Sequence, residues 1–387
     1  MNIAFFEVRL SSILRFPIWL HPFLLEESSE LNIVYFYESA DCEIEEVLLK
    51  LPKNSIIVKV EKISSRKIIN QLKSYDIDRL VVMAQRIPDS CIVAAAKKLS
   101  IKTLMYQHGL YIPFMKREGG LFINNIYKTF RYFLYVSCTA KLIGHNKILL
   151  LFKYIRIFLF GHNPIEINFP YKKINVDKVL VYGQHWVDYH IKNFGYHADQ
   201  HEVVGAPDFA NLEDFINKQF VGDDICYIAQ TLVEDGRLDR SSMLEFISGL
   251  SYALSKNNLL LKVKLHPRSD LTLYEGLPSN TIYISDDLPK SSVYIGHYSS
   301  LIAKATFVTN NIILINFPGH DIPEYIKMLS DHILDFDDTQ AIQNTVDNPN
   351  FKKIDEIKKA KNIEKQDFYF NSKVISPIKE AAKEIIR

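Results

Sequence analysis

Short apolar runs alternate with longer polar stretches through the first part of the chain. Seven of these runs have the length and the β-branched or aromatic content of buried strands: Asn2–Phe6, Asn32–Tyr37, Ser55–Val60, Arg79–Met83, Thr103–Tyr106, Lys178–Tyr182 and Glu202–Val204. Helix-compatible stretches lie between them, among them Ser64–Ser74 and Ser90–Leu99. Because strands that alternate with helices are typical of a parallel sheet covered on both faces, we predict a doubly wound α/β domain.

The same alternation resumes in the second half, after a predicted helical linker at Asp208–Gln219. Ser241–Ser255 is predicted as a helix, and five further strands are predicted: Ile225–Gln230, Leu259–Leu265, Thr281–Ile284, Ser292–Ile295 and Ile312–Asn316. A chain of 387 residues exceeds one ordinary core. We therefore expect an N-terminal domain, residues 1–215, and a C-terminal domain, residues 216–387. Two Rossmann-like domains facing each other across a cleft form the GT-B arrangement.

Composition restricts the class of protein further. The formal net charge is only +1, so the molecule as a whole has no excess of positive charge for binding nucleic acid. Four scattered cysteines without a C-x-x-C pair favour reduced thiols over a zinc site or disulfides. Glu7, Arg9 and Arg15 interrupt the apolar N-terminal stretch, and no run is long enough to span a membrane. We expect a cytoplasmic protein.

One segment, residues 120–165, has an unusual charge pattern. No acidic residue lies between Glu118 and Glu166, whereas aromatic residues are frequent and six basic residues are present: Lys128, Arg131, Lys141, Lys147, Lys153 and Arg156. This combination is typical of an amphipathic helix that contacts an anionic membrane, here the inner face of the cell membrane. The alternative is a pair of core-packing helices with a solvated basic rim. Nucleic acid is disfavoured because no RNA-binding signature accompanies the segment.

Two strand ends in the second half carry residues suited to binding phosphate. The predicted strand Leu259–Leu265 is followed by His266-Pro267-Arg268, and Ser292–Ile295 is followed by Gly296-His297-Tyr298-Ser299-Ser300. Ligands of open α/β sheets bind outside the carboxyl ends of the strands. Histidine and arginine supply donors and charge, and serine hydroxyls at a helix start supply further donors. We predict a phosphate site formed by His266, Pro267, Arg268, Ser299 and Ser300.

Other strand ends offer candidate catalytic groups. Gln107-His108-Gly109 follows a first-domain strand, and His108 could take a proton from an attacking hydroxyl. Glu234 and Asp235 follow the first strand of the second domain and could serve as base, nucleophile or sugar ligand, or simply be solvated. Gln184 and His185 are placed on the acceptor side or at a hinge. The histidine spacing gives no metal site.

Several common nucleotide motifs are absent. The chain has no G-x-G-x-x-G after its first strand, no G-x-x-x-x-G-K-[ST] and no G-x-S-x-G. These absences disfavour a classical dinucleotide enzyme, a P-loop NTPase and a serine esterase.

His266-Pro267 and Ser299-Ser300 resemble, in type, order and spacing, the motifs of bacterial sialyltransferases, particularly the capsular polysialyltransferase-like group. The resemblance mainly covers residues 222–320. It implies that His266, Ser299 and Ser300 bind the phosphate of a CMP-activated sugar, with Lys264 or Arg268 adding charge. The family also has an acidic-acidic-Gly motif in its first domain, where this chain reads Gln107-His108-Gly109. Either His108 replaces the acidic base, or Glu234 and Asp235 supply it.

The resemblance implies a metal-independent enzyme without a cofactor. It would transfer sialic acid, or a related 2-keto sugar acid, from a CMP-sugar to a glycan or lipid-linked glycan in capsule, lipooligosaccharide or lipopolysaccharide assembly. Three alternatives remain open. They are a CMP-Kdo-dependent Kdo transferase, a CDP-polyol phosphotransferase of teichoic-acid-like capsule synthesis, and a non-catalytic sugar-nucleotide-binding partner.

Overall fold

The computed structural model describes residues 1–14, 16–52, 55–107, 109, 126–160, 162–210, 212–217, 224–266, 268–285, 287–317, 322–348 and 355–387. The chain folds into two compact units. The first contains residues up to 107, 126–210 and Phe368–Arg387, and the second contains Asn211–Asp367.

The first unit is built on a seven-stranded parallel sheet. Its strands are β1 (Asn2–Arg9), β2 (Asn32–Ser39), β3 (Ser55–Lys59), β4 (Arg79–Val82), β5 (Lys102–Tyr106), β6 (Lys178–Val181) and β7 (His201–Val203). Their order across the sheet is β3-β2-β1-β4-β5-β6-β7. All seven predicted strands are confirmed. The largest difference is that β1 continues past its apolar run, because its polar residues also pair with β2 as far as Arg9 opposite Ser39.

Helices surround this sheet. They are α1 (Phe16–Glu27), α2 (Ile44–Leu48), α3 (Ser65–Ser74), α4 (Ile87–Lys98), α5 (Ile126–Ile143), α6 (Lys147–Phe160) and α7 (Gln184–Phe194). α3 shows why such segments are helical. The Ser64 Oγ accepts the Lys67 N–H at 3.3 Å, and Ile68 and Leu72, four residues apart, are buried on one face.

The second unit contains a six-stranded parallel sheet. Its strands are β8 (Asp224–Ile228), β9 (Leu260–Lys264), β10 (Thr281–Ile284), β11 (Val293–Gly296), β12 (Ile312–Asn316) and β13 (His332–Asp335), in the order β10-β9-β8-β11-β12-β13. The first five agree with the sequence prediction. The sequence pattern does not reveal β13, because this edge strand is short and only half-buried, and therefore carries no continuous apolar run.

Five helices accompany the second sheet: α8 (Leu212–Asn217), α9 (Arg240–Ser255), α10 (Ser300–Ala305), α11 (Glu324–Lys327) and α12 (Thr339–Asp347). Short 3-10 turns lie at Leu10–Leu14, Tyr171–Lys173, Ala198–Gln200, Pro207–Phe209 and Leu271–Leu273. α9 begins where the Asp239 Oδ1 accepts the Ser242 N–H at 2.8 Å. Its buried side chains recur at helical spacing: Met243, Phe246, Ile247, Leu250 and Leu254.

The last two helices, α13 (Glu356–Phe370) and α14 (Pro377–Ile386), return the chain to the first unit. The sequence pattern assigns all of residues 216–387 to the second domain, whereas Phe368–Arg387 pack with the first. The cause is the apolar face of α14, whose Ala381, Ala382 and Ile385 are buried and which packs against α1. An ion pair between Lys178 and Glu384 joins α14 to β6.

Gly183, at the start of α7, allows this C-terminal segment to approach closely. A Cβ at Gly183 would lie 2.5 Å from the backbone carbonyl carbon of Tyr369, closer than any side chain tolerates. The adjacent Trp186 donates its indole N–H to the Tyr369 carbonyl at 2.7 Å, and the Ala206 N–H donates to the Phe370 carbonyl at 3.0 Å. A glycine is therefore required where the returning segment crosses α7.

The basic aromatic segment forms the helix pair α5 and α6 between β5 and β6. α5 packs against α4, and α6 packs against α5. Arg131 of α5 forms an ion pair with Glu38 at 2.8 Å, so this cation is used within the first unit. None of the described helices combines the length and the apolar character that a membrane-spanning helix needs.

Candidate functional site

The candidate site lies at the carboxyl edge of the second sheet, beside the point where the strand order reverses. β8 lies at the centre, with β9 on one side and β11 on the other, so the switch point lies between β8 and β11. Open α/β sheets bind ligands at this position. The loop after β8 contains Glu234 and Asp235, the loop after β9 contains His266 and Arg268, and the loop after β11 leads through Ser299 to Ser300 at the start of α10. Three separate sequence motifs therefore meet at one sheet edge.

His266 is held in a tight turn after β9. Its backbone N–H donates to the Ser269 Oγ at 3.0 Å, and its Nδ1 accepts the Arg268 backbone N–H at 3.1 Å. Because Nδ1 is an acceptor in this contact, a neutral His266 carries its proton on Nε2. The ring can then donate a hydrogen bond from Nε2. Pro267 lies outside the described residues.

Arg268 connects the β9 loop to the β8 loop. Its NH1 donates to the Asp235 Oδ1 at 2.8 Å, and its NH2 donates to the Asp235 Oδ2 at 3.2 Å and to the Thr231 Oγ1 at 3.0 Å. Partial burial alone would raise the pKa of Asp235, but the hydrogen bonds and charge of Arg268 outweigh it and hold that pKa below its usual value. Asp235 is therefore a weak proton acceptor.

Glu234 makes a second connection between the same two loops. Its Oε1 accepts the Asp270 backbone N–H at 2.7 Å. The Glu234 Oε2 and the Arg268 Nε are buried and make no hydrogen bond to the described part of the chain. Buried polar atoms usually have hydrogen-bond partners, so two buried atoms without one distinguish this cluster from an ordinary structural contact.

The β11 loop is joined to the β8 loop by other contacts. The Tyr298 N–H donates to the Gln230 Oε1 at 3.3 Å, and Arg237 donates to the Tyr298 hydroxyl. Ser299 caps α10, since its Oγ accepts the Leu301 N–H at 3.2 Å, and Ser300 is the first residue of the helix. The capping bond does not use the hydroxyl hydrogen of Ser299. Since β8 alone separates β9 from β11, His266 and Ser299 follow strands roughly 10 Å apart.

Four residues that join these three loops are not predicted as site residues from the sequence: Gln230, Thr231, Arg237 and Tyr298. Gln230 is the last residue of a predicted strand and Thr231 directly follows it, and this strand-end position is the signal that could have identified both. The resemblance implies that Lys264 or Arg268 adds charge at the phosphate, and the structure shows other contacts for Lys264. Its buried Nζ donates to the carbonyls of Leu265 at 2.7 Å and Ser285 at 3.2 Å, which ties together the ends of β9 and β10.

An open groove lies beside Leu265, the residue before His266, on the β10 side. Its volume is about 390 Å³, and it is lined by Leu265, Leu271, Tyr274, Glu275, Gly276 and Tyr283. The Tyr283 hydroxyl donates to the Tyr274 carbonyl. The volume falls in the range of small-ligand sites.

The acceptor-side candidates of the first unit have structural contacts. His108 lies outside the described residues. Gln107 is buried, and its Oε1 accepts the Tyr182 N–H at 3.0 Å, which joins the ends of β5 and β6. His185 packs against the Tyr369 ring at 4.6 Å, and burial lowers its pKa. Gln184 is exposed, with its Nε2 3.5 Å from the Asp188 Oδ1.

A second group of charged residues, which the sequence does not reveal, lies near the switch point of the first sheet. Glu7 of β1 is only 1% exposed and forms an ion pair of 3.2 Å with Arg86, which also binds Asp89. Burial raises the pKa of Glu7 to about 7, although Arg86 acts in the opposite direction. The Glu7 Oε1 has no hydrogen-bond partner in the described ranges. The ion pair of Glu38 and Arg131 belongs to the same region, since Arg86 and Asp89 also influence the pKa of Glu38.

Within the described ranges, no group of three or more histidine, cysteine, aspartate or glutamate side chains is arranged to hold a metal ion.

No protein-family model and no curated protein sequence matches this chain. Solved structures do match it over the full length. The glycotransferase of kitacinnamycin has a TM-score of 0.54 at 10% identity and covers 100% of this chain and 98% of its own. A variant of the wall teichoic acid polymerase TagF soaked with CDPG has a TM-score of 0.52 at 13% identity, with coverages of 100% and 88%.

A putative UDP-N-acetylglucosamine 2-epimerase from Listeria monocytogenes has a TM-score of 0.54 at 10% identity, with coverages of 100% and 97%. These proteins have different activities, so the likeness concerns the fold. Together with the two parallel sheets, it shows that the chain has the GT-B fold.

Proposed function

We propose that this protein is a metal-independent glycosyltransferase that transfers sialic acid, or a related 2-keto sugar acid, from its CMP derivative to a glycan hydroxyl. The observation that carries the proposal is the junction of the three loops at the switch point of the second sheet, which contains His266, Ser299 and Ser300. The resemblance of these motifs to bacterial sialyltransferases supports the donor class. The acceptor is a surface glycan, free or lipid-linked, of capsule or lipopolysaccharide assembly, and the protein acts in the cytoplasm.

The reaction needs hydrogen-bond donors at the departing phosphate. As the acceptor oxygen bonds to the anomeric carbon, the bond from that carbon to the phosphate oxygen breaks and CMP leaves with the electron pair. In the proposal, the His266 Nε2–H and the hydroxyls of Ser299 and Ser300 donate to this phosphate. Donors fixed in advance stabilise the charge that develops in the transition state. The groove beside Leu265 and Tyr274 is available to the nucleoside.

The acceptor proton needs a base, and the contacts argue against Asp235. Both of its oxygens are engaged by Arg268, and its pKa is lowered. Glu234 is likewise engaged at Oε1 by the Asp270 N–H. We therefore assign Asp235 and Glu234 to positioning the loop of His266, and we retain His108 as the proposed base.

The proposal predicts a large loss of turnover in His266→Ala. Removing one donor to a developing charge typically lowers turnover about 100-fold or more. The measurement is release of CMP from CMP-sialic acid and from CMP-Kdo, with a glycan acceptor and EDTA present. His332→Ala, at a partly buried histidine of β13 in the same unit, is the control and should remain active. Full activity of His266→Ala would contradict the assignment.

A second candidate is a CDP-polyol phosphotransferase. The observation that favours it is the likeness to the TagF variant soaked with CDPG. In this reaction the acceptor oxygen attacks the phosphorus of the polyol phosphate and CMP again departs, so the donors around His266 would serve the same leaving group. Incubation with CDP-glycerol distinguishes the two reactions, because the product is then a phosphodiester. A CMP-sugar donor gives a glycosidic bond, and CMP-Kdo as sole donor would identify a Kdo transferase.

A further inference from the structure

The side of α6 that faces away from the core carries large apolar side chains in contact with water. Ile148 is 64% exposed, Phe152 is 59% exposed and Phe160 is 69% exposed, and Leu149 and Arg156 are also exposed. At about 100° per residue, these five positions lie within an arc of roughly 120° on one side of the helix. We call this arc the α6 outer face.

The opposite side of α6 is apolar as well. Leu150 and Tyr154 are buried, and the Tyr154 ring lies 4.8 Å from that of Phe169. A surface helix of a globular protein normally has one apolar and one polar side. α6 is apolar on the core side and also on much of the side open to water. Exposed apolar patches of this kind mark interaction sites.

Basic residues lie on and around the α6 outer face. Arg156 lies within it and Lys153 is next to it on the helix, and two further exposed lysines are Lys147, the first residue of α6, and Lys141, in the last turn of α5. Lys147 lies 4.3 Å from the centre of the Phe133 ring. Residues 119–165 contain no acidic residue. Arg131 does not belong to this set, because it is paired with Glu38.

We infer that the α6 outer face binds the surface of an anionic lipid bilayer. α6 has 14 residues, or roughly 21 Å, less than the hydrocarbon core of about 30 Å. It therefore lies along the interface, with Phe152 and Phe160 among the acyl chains and the cations at the lipid phosphates. A two-fold contact with a second copy of the chain is disfavoured, because it would bring Arg156 and its basic neighbours together.

The test is flotation of the purified full chain with vesicles, and it needs no donor or acceptor. One vesicle type is phosphatidylcholine alone, and the other is an equal mixture of phosphatidylcholine and phosphatidylglycerol, each at low and high ionic strength. We expect binding to the mixed vesicles that high salt weakens. Arg156→Glu should lower the partition coefficient about 10- to 30-fold, since each cation contributes about 1 kcal/mol and reversal counts twice. Phe152→Glu should lower it at least as much.

Matched controls make the result specific to this face. Lys50→Glu changes the same charge, and Leu49→Glu replaces an exposed apolar side chain, both at the end of α2. Both should bind like the wild type, and circular dichroism should show all four variants folded. Absence of binding to mixed vesicles, or equal losses in the controls, would overturn the inference. A lipid-free dimer that Phe152→Glu abolishes, without vesicle binding, would assign the face to a second copy and also overturn it. Because vesicle binding and CMP release are separate assays, either proposal can fail while the other stands.

Discussion

Arg268 illustrates how the neighbours of a side chain determine its role. The sequence suggests a phosphate-binding cation, but its guanidinium forms a two-bond fork with Asp235 and a third bond to Thr231. A planar fork of this kind fixes geometry as well as charge. We therefore expect Arg268 and Asp235 to act together by holding the turn that presents His266.

If the pair acts as one unit, its variants should not be additive. We expect Asp235→Asn and Arg268→Ala each to lower the catalytic efficiency with the donor about 10-fold, with the double variant no worse than either. Arg268→Lys should not restore activity, because an ammonium cannot form the fork. The measurement is kcat/KM for the donor across a pH range. Arg240→Ala, which removes an exposed pair with Asp270 nearby, is the control. Additive losses would instead indicate that Asp235 takes a proton. The same conclusion would follow if kcat/KM of Asp235→Asn no longer fell at low pH.

Glu7 should make the stability of the protein depend on pH. Its pKa is raised from 4.5 to about 7 by burial, so the folded state binds this proton more tightly than the unfolded state. The resulting stabilisation is fully present below pH 4.5 and is lost as the pH rises through about 7. The shift corresponds to at most about 3 kcal/mol. Glu7→Gln removes this contribution, so its free energy of unfolding should fall less between pH 5 and pH 8, as measured by urea denaturation. The exposed Glu45→Gln should keep the wild-type dependence, and equal dependence in Glu7→Gln would contradict the prediction.

At the scale of elements, the sequence predicts the strands and helices that a regular pattern of apolar residues specifies. Strand interiors such as Ile33–Tyr37 and Ile225–Ile228 are continuous apolar runs because parallel strands are buried on both faces. The positions of His266 and Ser299 follow in the same way from the ends of the apolar strands β9 and β11. The pairing of Asp235 with Arg268 does not follow, because it depends on how β8 and β9 lie side by side. β13 escapes prediction because an exposed edge strand lacks the apolar signal.

The crossing of α7 and the C-terminal segment depends on one glycine. We expect Gly183→Ala to lower the free energy of unfolding by about 2–3 kcal/mol, because its Cβ would overlap the Tyr369 backbone and displace the segment. Gly195→Ala is the control, since its φ of 65° is strained for alanine but the surrounding space is open. Its cost should be about 1 kcal/mol. Chemical denaturation measures both, and equal losses would show that the close approach is unimportant.

At the scale of the whole molecule, the apolar pattern predicts two doubly wound domains but not the return of the last segment. The periodicity of α14 shows that one side is apolar, with Ala381, Ala382 and Ile385 buried. It does not identify the partner, which is α1, near the opposite end of the chain. Helical periodicity specifies a face, whereas long-range contacts depend on the completed fold.

Removal of residues 368–387 should therefore affect the first unit and spare the second. The truncation exposes the α1 surface that α14 covers and removes the Tyr369 carbonyl that Trp186 binds. We expect faster amide hydrogen exchange in α1 and α7, with β8–β13 unchanged. Exchange measured by mass spectrometry tests this, with the full chain as reference. Faster exchange throughout the second sheet, or no increase of exchange in α1, would contradict the division into units.

The return of Phe368–Arg387 also sets an order of assembly during translation. At roughly 5–20 residues per second, about 9–35 s separate the emergence of Ala210 from that of α14. Through this interval the first sheet is present without the helix that covers α1, while every strand of the second sheet is synthesised. The part of the protein that is made first is thus the last to be completed. A ribosome that stalls in the second unit leaves a nascent chain with an exposed apolar surface for chaperones to cover.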